Sequence, residues 1–194
     1  MSNILRNLFL VLFIFTGVVY GKETNQQNDT DEAKIYRRAI TFKYTRLFNV
    51  TQKYGEVLIS GDFNNILSAA TSVIDALEKM KYELEAMDVP EQMVEPYHAF
   101  LDSIKAYRQS ADNMRIAMGI LLGKLDGTGI EVEESIDKSE NYVEIANKYL
   151  GLSIVLHEEI FRVDKGSQGK CKKYLGSLLN WGSKEVIPNE AVKF

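Results

Sequence analysis

Eight apolar residues, Phe63, Ile66, Ala70, Val73, Leu77, Met80, Leu84 and Met87, follow one another at intervals of three and four. That spacing puts all eight on one face of an α-helix. Gly61-Asp62, just before them, supplies a turn and a cap. An earlier stripe has the same rhythm: Tyr36, Ile40, Leu47, Val50, Tyr54 and Val57, with Lys43 at its one polar step and an end at Ser60-Gly61. A third stripe carries Tyr97, Leu101, Ile104, Tyr107, Ala111, Met114, Met118, Leu121 and Leu125. Its two successive steps of three, at 101, 104 and 107, shift the phase. Keeping the earlier phase would bring Arg108 and Arg115 into the core, where only pairing offsets the cost of burying a charge. The glycines of KLDGTGI, residues 124–130, close this helix. A fourth stripe holds Val132, Ile136, Val143, Ala146, Leu150 and Ile160, with Ser139, Ser153 and His157 at the remaining steps.

Four such runs joined by short turns predict an all-α chain. The expected fold is an antiparallel up-down four-helix bundle over residues 33–163, followed by a short C-terminal amphipathic helix within a capping segment, residues 164–194. Charge favours contact between the first and last helices. Six basic residues and no acid lie between 33 and 54, and six acids against Lys138 and Lys148 lie between 131 and 148. The bland account is that acids early in a helix suit its dipole.

The ends of the chain add a destination. Residues 1–21, MSNILRNLFLVLFIFTGVVYG, have one positive side chain, Arg6, an apolar run from Leu8 to Tyr20 and then Gly21. This reads as a secretory signal peptide, since the run is shorter than the roughly 20 residues of a spanning helix. Residues 22–32 are wholly polar and read as a disordered leader. The expected location is therefore secreted or extracytoplasmic, in the cell envelope, after cleavage near Gly21.

At 194 residues, 45% hydrophobic and 26% charged, the chain suits one globular domain. Its net charge of -4 argues against nucleic acid as a partner. Cys171 is the only cysteine, so no intramolecular disulfide exists, while a disulfide-linked homodimer through Cys171 stays open. Asn28 and Asn49 each begin an Asn-x-Thr triplet, which matters only in a glycosylating secretory pathway. In the tail, Tyr174, Leu175, Leu178, Leu179 and Trp181 take amphipathic spacing behind Lys170, Lys172 and Lys173. Cys171, Lys172, Lys173, Tyr174, Leu178 and Trp181 are the candidate interaction residues, facing a protein partner or, as a peripheral contact, a membrane surface.

Catalytic and metal chemistry find little purchase. Glu95-Pro96-Tyr97-His98 has the Glu-x-x-His form of carboxylate-bridged di-metal bundles, but the other histidine, His157, has Ile154 three residues before it. Tyr97 and Leu101 take the core steps, so this stretch reads as a helix entrance capped by Asp88, Pro90 and Glu91, with a partly exposed His98-Asp102 pair. Pro96 should bend or restart the helix. His157 reads as a hydrogen-bonded core histidine. Gly119 and Gly123 share a helix face and allow close packing, with no Ser or Thr to complete a phosphate loop. No catalytic residue, metal or cofactor is expected. The tyrosines Tyr36, Tyr44, Tyr54, Tyr97, Tyr107, Tyr142 and Tyr149 lie near the apolar stripes, where they pack or, if several converge, line a groove for a small ligand.

Pro90-Glu91 followed by His98, after two helices and before a glycine break and a fourth, resembles small exported all-helical domains of Gram-positive bacteria, often lipoproteins. The resemblance spans roughly residues 33–160 and implies an extracytoplasmic domain of unknown function, without the lipid-bearing cysteine. The leading expectation is an exported interaction module that binds a protein partner. The alternative is a small-ligand carrier using a tyrosine-lined bundle interior.

Overall fold

The computed structural model describes residues 31–163, and over that range the chain is all-helical with four helices packed together. They are α1 (Asp31–Ser60), α2 (Phe63–Glu85), α3 (Val94–Leu121) and α4 (Gly129–Val163), with a single 3₁₀ turn at Glu91–Met93. Asp31 and Glu32, expected in the polar leader, are already helical, and their carboxylates suit the positive end of the α1 dipole. The rest of the leader, the signal peptide and the capping segment lie outside the described residues.

The α1–α2 turn forms as its residues dictate. Gly61 takes φ 69°, a left-handed value that favours glycine. Asp62 then caps α2, its carboxylate accepting from the backbone N–H of Asn64 and Asn65 at 3.0 and 3.1 Å. On α2, Ile66, Ala70, Val73, Leu77, Met80 and Leu84 are all buried. Phe63 departs from the stripe at 46% exposure, because no described residue layers over the first turn of α2.

Lys43, at the polar step of α1, is half-buried and solves its own burial by pairing with Glu83 of α2. Arg46 bonds the same Glu83 oxygen at 2.7 Å. These hydrogen bonds, from Lys43 first and then Arg46, hold the Glu83 carboxyl down at about 2. The expected charge match between α1 and the acids at 131–148 is displaced. Tyr36 meets His157 and Tyr44 meets Ser153, which sets the basic first half of α1 beside the last turns of α4. There Arg37 lies over the Phe161 ring, 4.7 Å from its centre.

Burial on α3 covers more than the predicted stripe. Tyr97, Leu101, Ile104, Ala111, Met114 and Met118 are buried as expected, but so are Phe100, Ala99, Ser103, Ala106, Ser110 and Ala117. The helix is enclosed on two sides. Small residues let α3 and α4 run closest together, with Ser110 and Ser139 sharing a buried hydrogen bond of 3.0 Å. Tyr107 donates across the same seam to Asn147 at 2.5 Å. Arg108 escapes the core by pairing with Glu78 of α2, and Arg115 by bonding Asp112 on its own helix at 2.7 Å.

The entrance to α3 differs from the expected cap. Pro90 precedes the 3₁₀ turn and α3 starts afresh at Val94, neither having a side-chain cap bond, so Asp88 and Glu91 do not form the reciprocal cap. Pro96 sits in the first turn, where a missing N–H costs no helical bond.

Candidate functional site

Two places in the fold hold features beyond ordinary packing. The first is a buried polar network where α1, α3 and α4 meet. His157 is 3% exposed and lies one turn after the fully buried Ser153 on α4. Tyr36 Oη is 2.9 Å from His157 Nε2, and Tyr44 Oη is 2.8 Å from Nδ1. The Ser153 carbonyl is 2.9 Å from the same Nδ1. Ser153 Oγ donates to the Pro96 carbonyl at 2.5 Å and stands 2.6 Å from Tyr44 Oη.

Only one proton arrangement uses every donor. A carbonyl oxygen facing Nδ1 requires a proton there, so Nδ1 donates to Ser153 O and Nε2 accepts from the Tyr36 hydroxyl. Ser153 gives its proton to Pro96, leaving its oxygen to accept from Tyr44. The imidazole is thus neutral, and burial pushes its pKa down to about 4 against the opposing backbone bond from Ser153. Burial likewise raises the Tyr36 and Tyr44 phenols.

Rings complete the cluster. Tyr36 and Phe161 lie stacked on His157 at centroid distances of 5.8 and 5.9 Å, and Tyr44 tilts against Phe100 at 4.3 Å. Chemically this network fastens three helices and excludes water. Ser153 sends its proton to a backbone carbonyl and away from His157, which is not the geometry of an activated nucleophile.

The second place is where the α1–α2 and α3–α4 turns come together. Ile59, Phe63, Leu121, Leu125 and Ile130 are 53%, 46%, 45%, 44% and 70% exposed. They come from α1, α2, α3, the α3–α4 turn and α4. Beneath them lies a separate core cluster of Ile66, Met114, Ala117, Met118 and Val132, with Val57, Leu67, Ile120 and Ile136 packed against it. Lys124 Nζ reaches Asn64 Oδ1 at 3.3 Å, tying the α3–α4 turn to the start of α2.

That turn is built tightly. The Gly123 N–H bonds Ile120 O at 2.9 Å and the Lys124 N–H bonds Gly119 O at 2.8 Å, the paired bonds that end a helix in a left-handed residue. Gly123 has φ 64° and open space around it, so it serves the turn, not the close packing expected of it. Gly119 does serve packing: a Cβ there would meet Leu125 Cδ1 at 2.6 Å. Thr128 and Glu131 then start α4 reciprocally, Glu131 accepting from the Thr128 N–H at 2.7 Å and Thr128 Oγ1 accepting from the Glu131 N–H at 3.3 Å.

The candidate residues named from the sequence fall unevenly. Cys171, Lys172, Lys173, Tyr174, Leu178 and Trp181 lie outside the described residues, as does Asn28. Asn49 is exposed on α1. His98 is exposed and edge-on to Tyr97, while Asp102 turns to Lys105 at 3.1 Å in place of the expected pairing with His98. Among the described residues no three His, Cys, Asp or Glu side chains group as metal ligands, and no helix is long and apolar enough to cross a membrane. Of the tyrosines, Tyr36 and Tyr44 converge on His157 and Tyr107 goes to Asn147. No family model, curated protein or solved structure matches this chain.

Proposed function

We propose that this chain is an exported interaction module, an up-down bundle of alternating helices that binds a protein partner through the end carrying both turns. The alternation has support in the bonds of Ser110 to Ser139 and of Ser153 to Pro96, which pair rising positions on α3 with falling ones on α4. Export rests on the apolar run from Leu8 to Tyr20 behind Arg6. The observation that carries the binding role is the gathering of Ile59, Phe63, Leu121, Leu125 and Ile130 at one end, each two-fifths or more exposed. Exposed apolar side chains concentrated at one end of a fold mark interaction sites in single-domain proteins.

A test compares Leu125→Glu and Ile130→Glu with Tyr82→Glu, a control at an exposed α2 position. Helix content should be unchanged in all three. Partner capture from the extracellular or envelope fraction should fail in the first two and persist in the third. Equal capture by all three would remove the end from the binding role.

The carrier reading keeps one observation in its favour. The Tyr54 hydroxyl is buried without a hydrogen-bond partner among the described residues, and the side chain packs against both core clusters. A polar group of a small apolar ligand would satisfy it. A thermal shift with aromatic ligands that disappears in Tyr54→Phe would favour this reading, and no shift across a ligand series would count against it.

A further inference from the structure

The backbone of α1 runs close to α2 alone over several residues, whereas α2 packs closely on α3 and α3 on α4. Its first turns are held by side chains instead. Ala33, Tyr36 and Ile40 are the buried residues there, and Tyr36 reaches His157 while Arg37 lies over Phe161. Just below, Lys43 and Arg46 clamp α1 to Glu83 of α2. Between these two sets of ties, the Thr41 and Thr45 hydroxyls donate back to the carbonyls of Arg37 and Thr41 at 2.8 and 3.1 Å, bonds that ease the bending of a helix. We propose that residues 31–42 form an acid-released strap: a proton taken up by His157 frees them from α4, while the clamp at Glu83 and the packing of α2, α3 and α4 persist.

The geometry decides which bond fails. Nδ1 already donates to the Ser153 carbonyl, so an added proton can go only to Nε2, where the Tyr36 hydroxyl donates. Two donors then face each other, and His157 is the one hydrogen-bond partner of Tyr36 Oη among the described residues. From α1 the ring faces the Tyr36 and Tyr44 hydroxyls, with Arg37 over the Phe161 ring that stacks on it. From α3 the Pro96 carbonyl approaches through Ser153, and Tyr97 bears on Tyr36. On α4, Glu158 and Glu159 follow it in the chain, both half-buried, and α2 brings Glu83, whose charge Lys43 and Arg46 already take. Glu85, Asp88, Glu91 and Glu95, from the end of α2 to the start of α3, are exposed. None of these carboxylates offsets burial at the ring, where only the Ser153 backbone bond opposes it.

Release hydrates the imidazole and restores its ordinary titration. His157 titrates near 6.5 once free and is pushed down to about 4 in the closed form, so the open form gains as pH falls through that range and gains nothing above it. Between pH 7.5 and 5 the ratio of open to closed rises about thirtyfold. Glu83, held down at about 2, keeps its charge throughout, so the clamp outlasts the strap. Opening bares Ile40 and the face of Phe161, apolar surface that is covered at neutral pH.

Hydrogen exchange read peptide by peptide tests this in the chain from Lys22 to Phe194. Opening constants, corrected for the intrinsic effect of pH on exchange, are compared at pH 7.5 and 5 for residues 36–42, 100–118 and 139–150. The proposal expects the first to rise about thirtyfold and the other two to hold. It expects the rise to vanish in His157→Gln and to persist in His98→Gln, which alters the only other histidine, exposed on α3. An equal rise in all three segments overturns it, because acid then unfolds the molecule as a whole. So does a first segment indifferent to pH, or a rise that survives in His157→Gln. Should His157→Gln fail to fold, the native chain and His98→Gln still decide between a strap and global unfolding.

Discussion

Tyr36 and His157 stand 121 positions apart in the chain, yet the Tyr36 hydroxyl reaches His157 Nε2 at 2.9 Å. This bond ties the start of α1 to the end of α4, and Tyr44 repeats the tie one ring nitrogen away. Removing the Tyr36 hydroxyl leaves a buried nitrogen without its donor. Tyr36→Phe should lower stability by about 1–2 kcal/mol. His157→Ala should cost more, because it strands the buried Tyr36 hydroxyl and opens a cavity. Urea unfolding of both single variants and of the pair gives the coupling. A double variant equal to the sum of its parts would mean that the two side chains do not act together.

Acid should loosen the fold in two successive windows. The His157 imidazole titrates near 6.5 when unfolded and is pushed down to about 4 when folded. Above 6.5 neither state holds the proton and the network contributes fully. Between 6.5 and about 4 only the unfolded chain takes it up, so stability falls as pH falls, by about 3 kcal/mol in all. Below that range His157 adds no further slope. Glu83 takes over from 4.5 toward about 2, where protonation releases Lys43 and Arg46. Urea midpoints measured from pH 6.5 down to 4 should slope in the native chain and flatten in His157→Gln. The same slope in both would assign the effect elsewhere.

The two glycines of the α3 exit should respond differently. Gly123→Ala forces a side chain into φ 64° and should cost about 1 kcal/mol, with Gly123→Asn milder. Gly119→Ala keeps a helical backbone but displaces Leu125, whose Cδ1 lies 2.6 Å from the added carbon. Its main effect should be on binding at the exposed end, not on the urea midpoint. Equal losses of stability in both would contradict this division.

At the α3–α4 seam the buried Ser110 faces Ser139 at 3.0 Å. Ser110→Leu should destabilise by about 1–3 kcal/mol through overpacking, whereas Ser110→Ala should cost only about 1 kcal/mol. Thermal unfolding distinguishes them. A tolerated leucine would mean that the helices are free to separate there.

What the sequence discloses depends on hydropathy contrast. The stripe on α2 alternates large apolar and charged residues, so Ile66 to Leu84 could be placed without the structure. The second face of α3 offers no such contrast. Ala99, Ser103, Ala106, Ser110 and Ala117 recur at three, four and seven, but small residues look alike in a core and on a surface. Phe100 hides between these two faces and packs on Tyr44, a contact no local spacing encodes. The position of His157 was readable as a core step, while its tyrosine partners sit more than a hundred residues away. Thr128-x-x-Glu131 is a recognisable cap that the neighbouring glycines conceal. The exposed end was invisible for another reason: Ile59, Phe63, Leu121, Leu125 and Ile130 lie on separate elements, which only the packing of the helices brings toward one end.

One measurement addresses the central claim, that the end holding both turns is the contact surface. A photo-crosslinking side chain is placed at Ile130 and, in a separate protein, at Tyr82, both exposed and on different elements. Each is irradiated with the extracellular and envelope fractions of the source cells together with an unlabelled copy of the chain. The account predicts a discrete adduct from position 130 and none from position 82. Adducts of equal yield from both positions, or from position 82 alone, would contradict it.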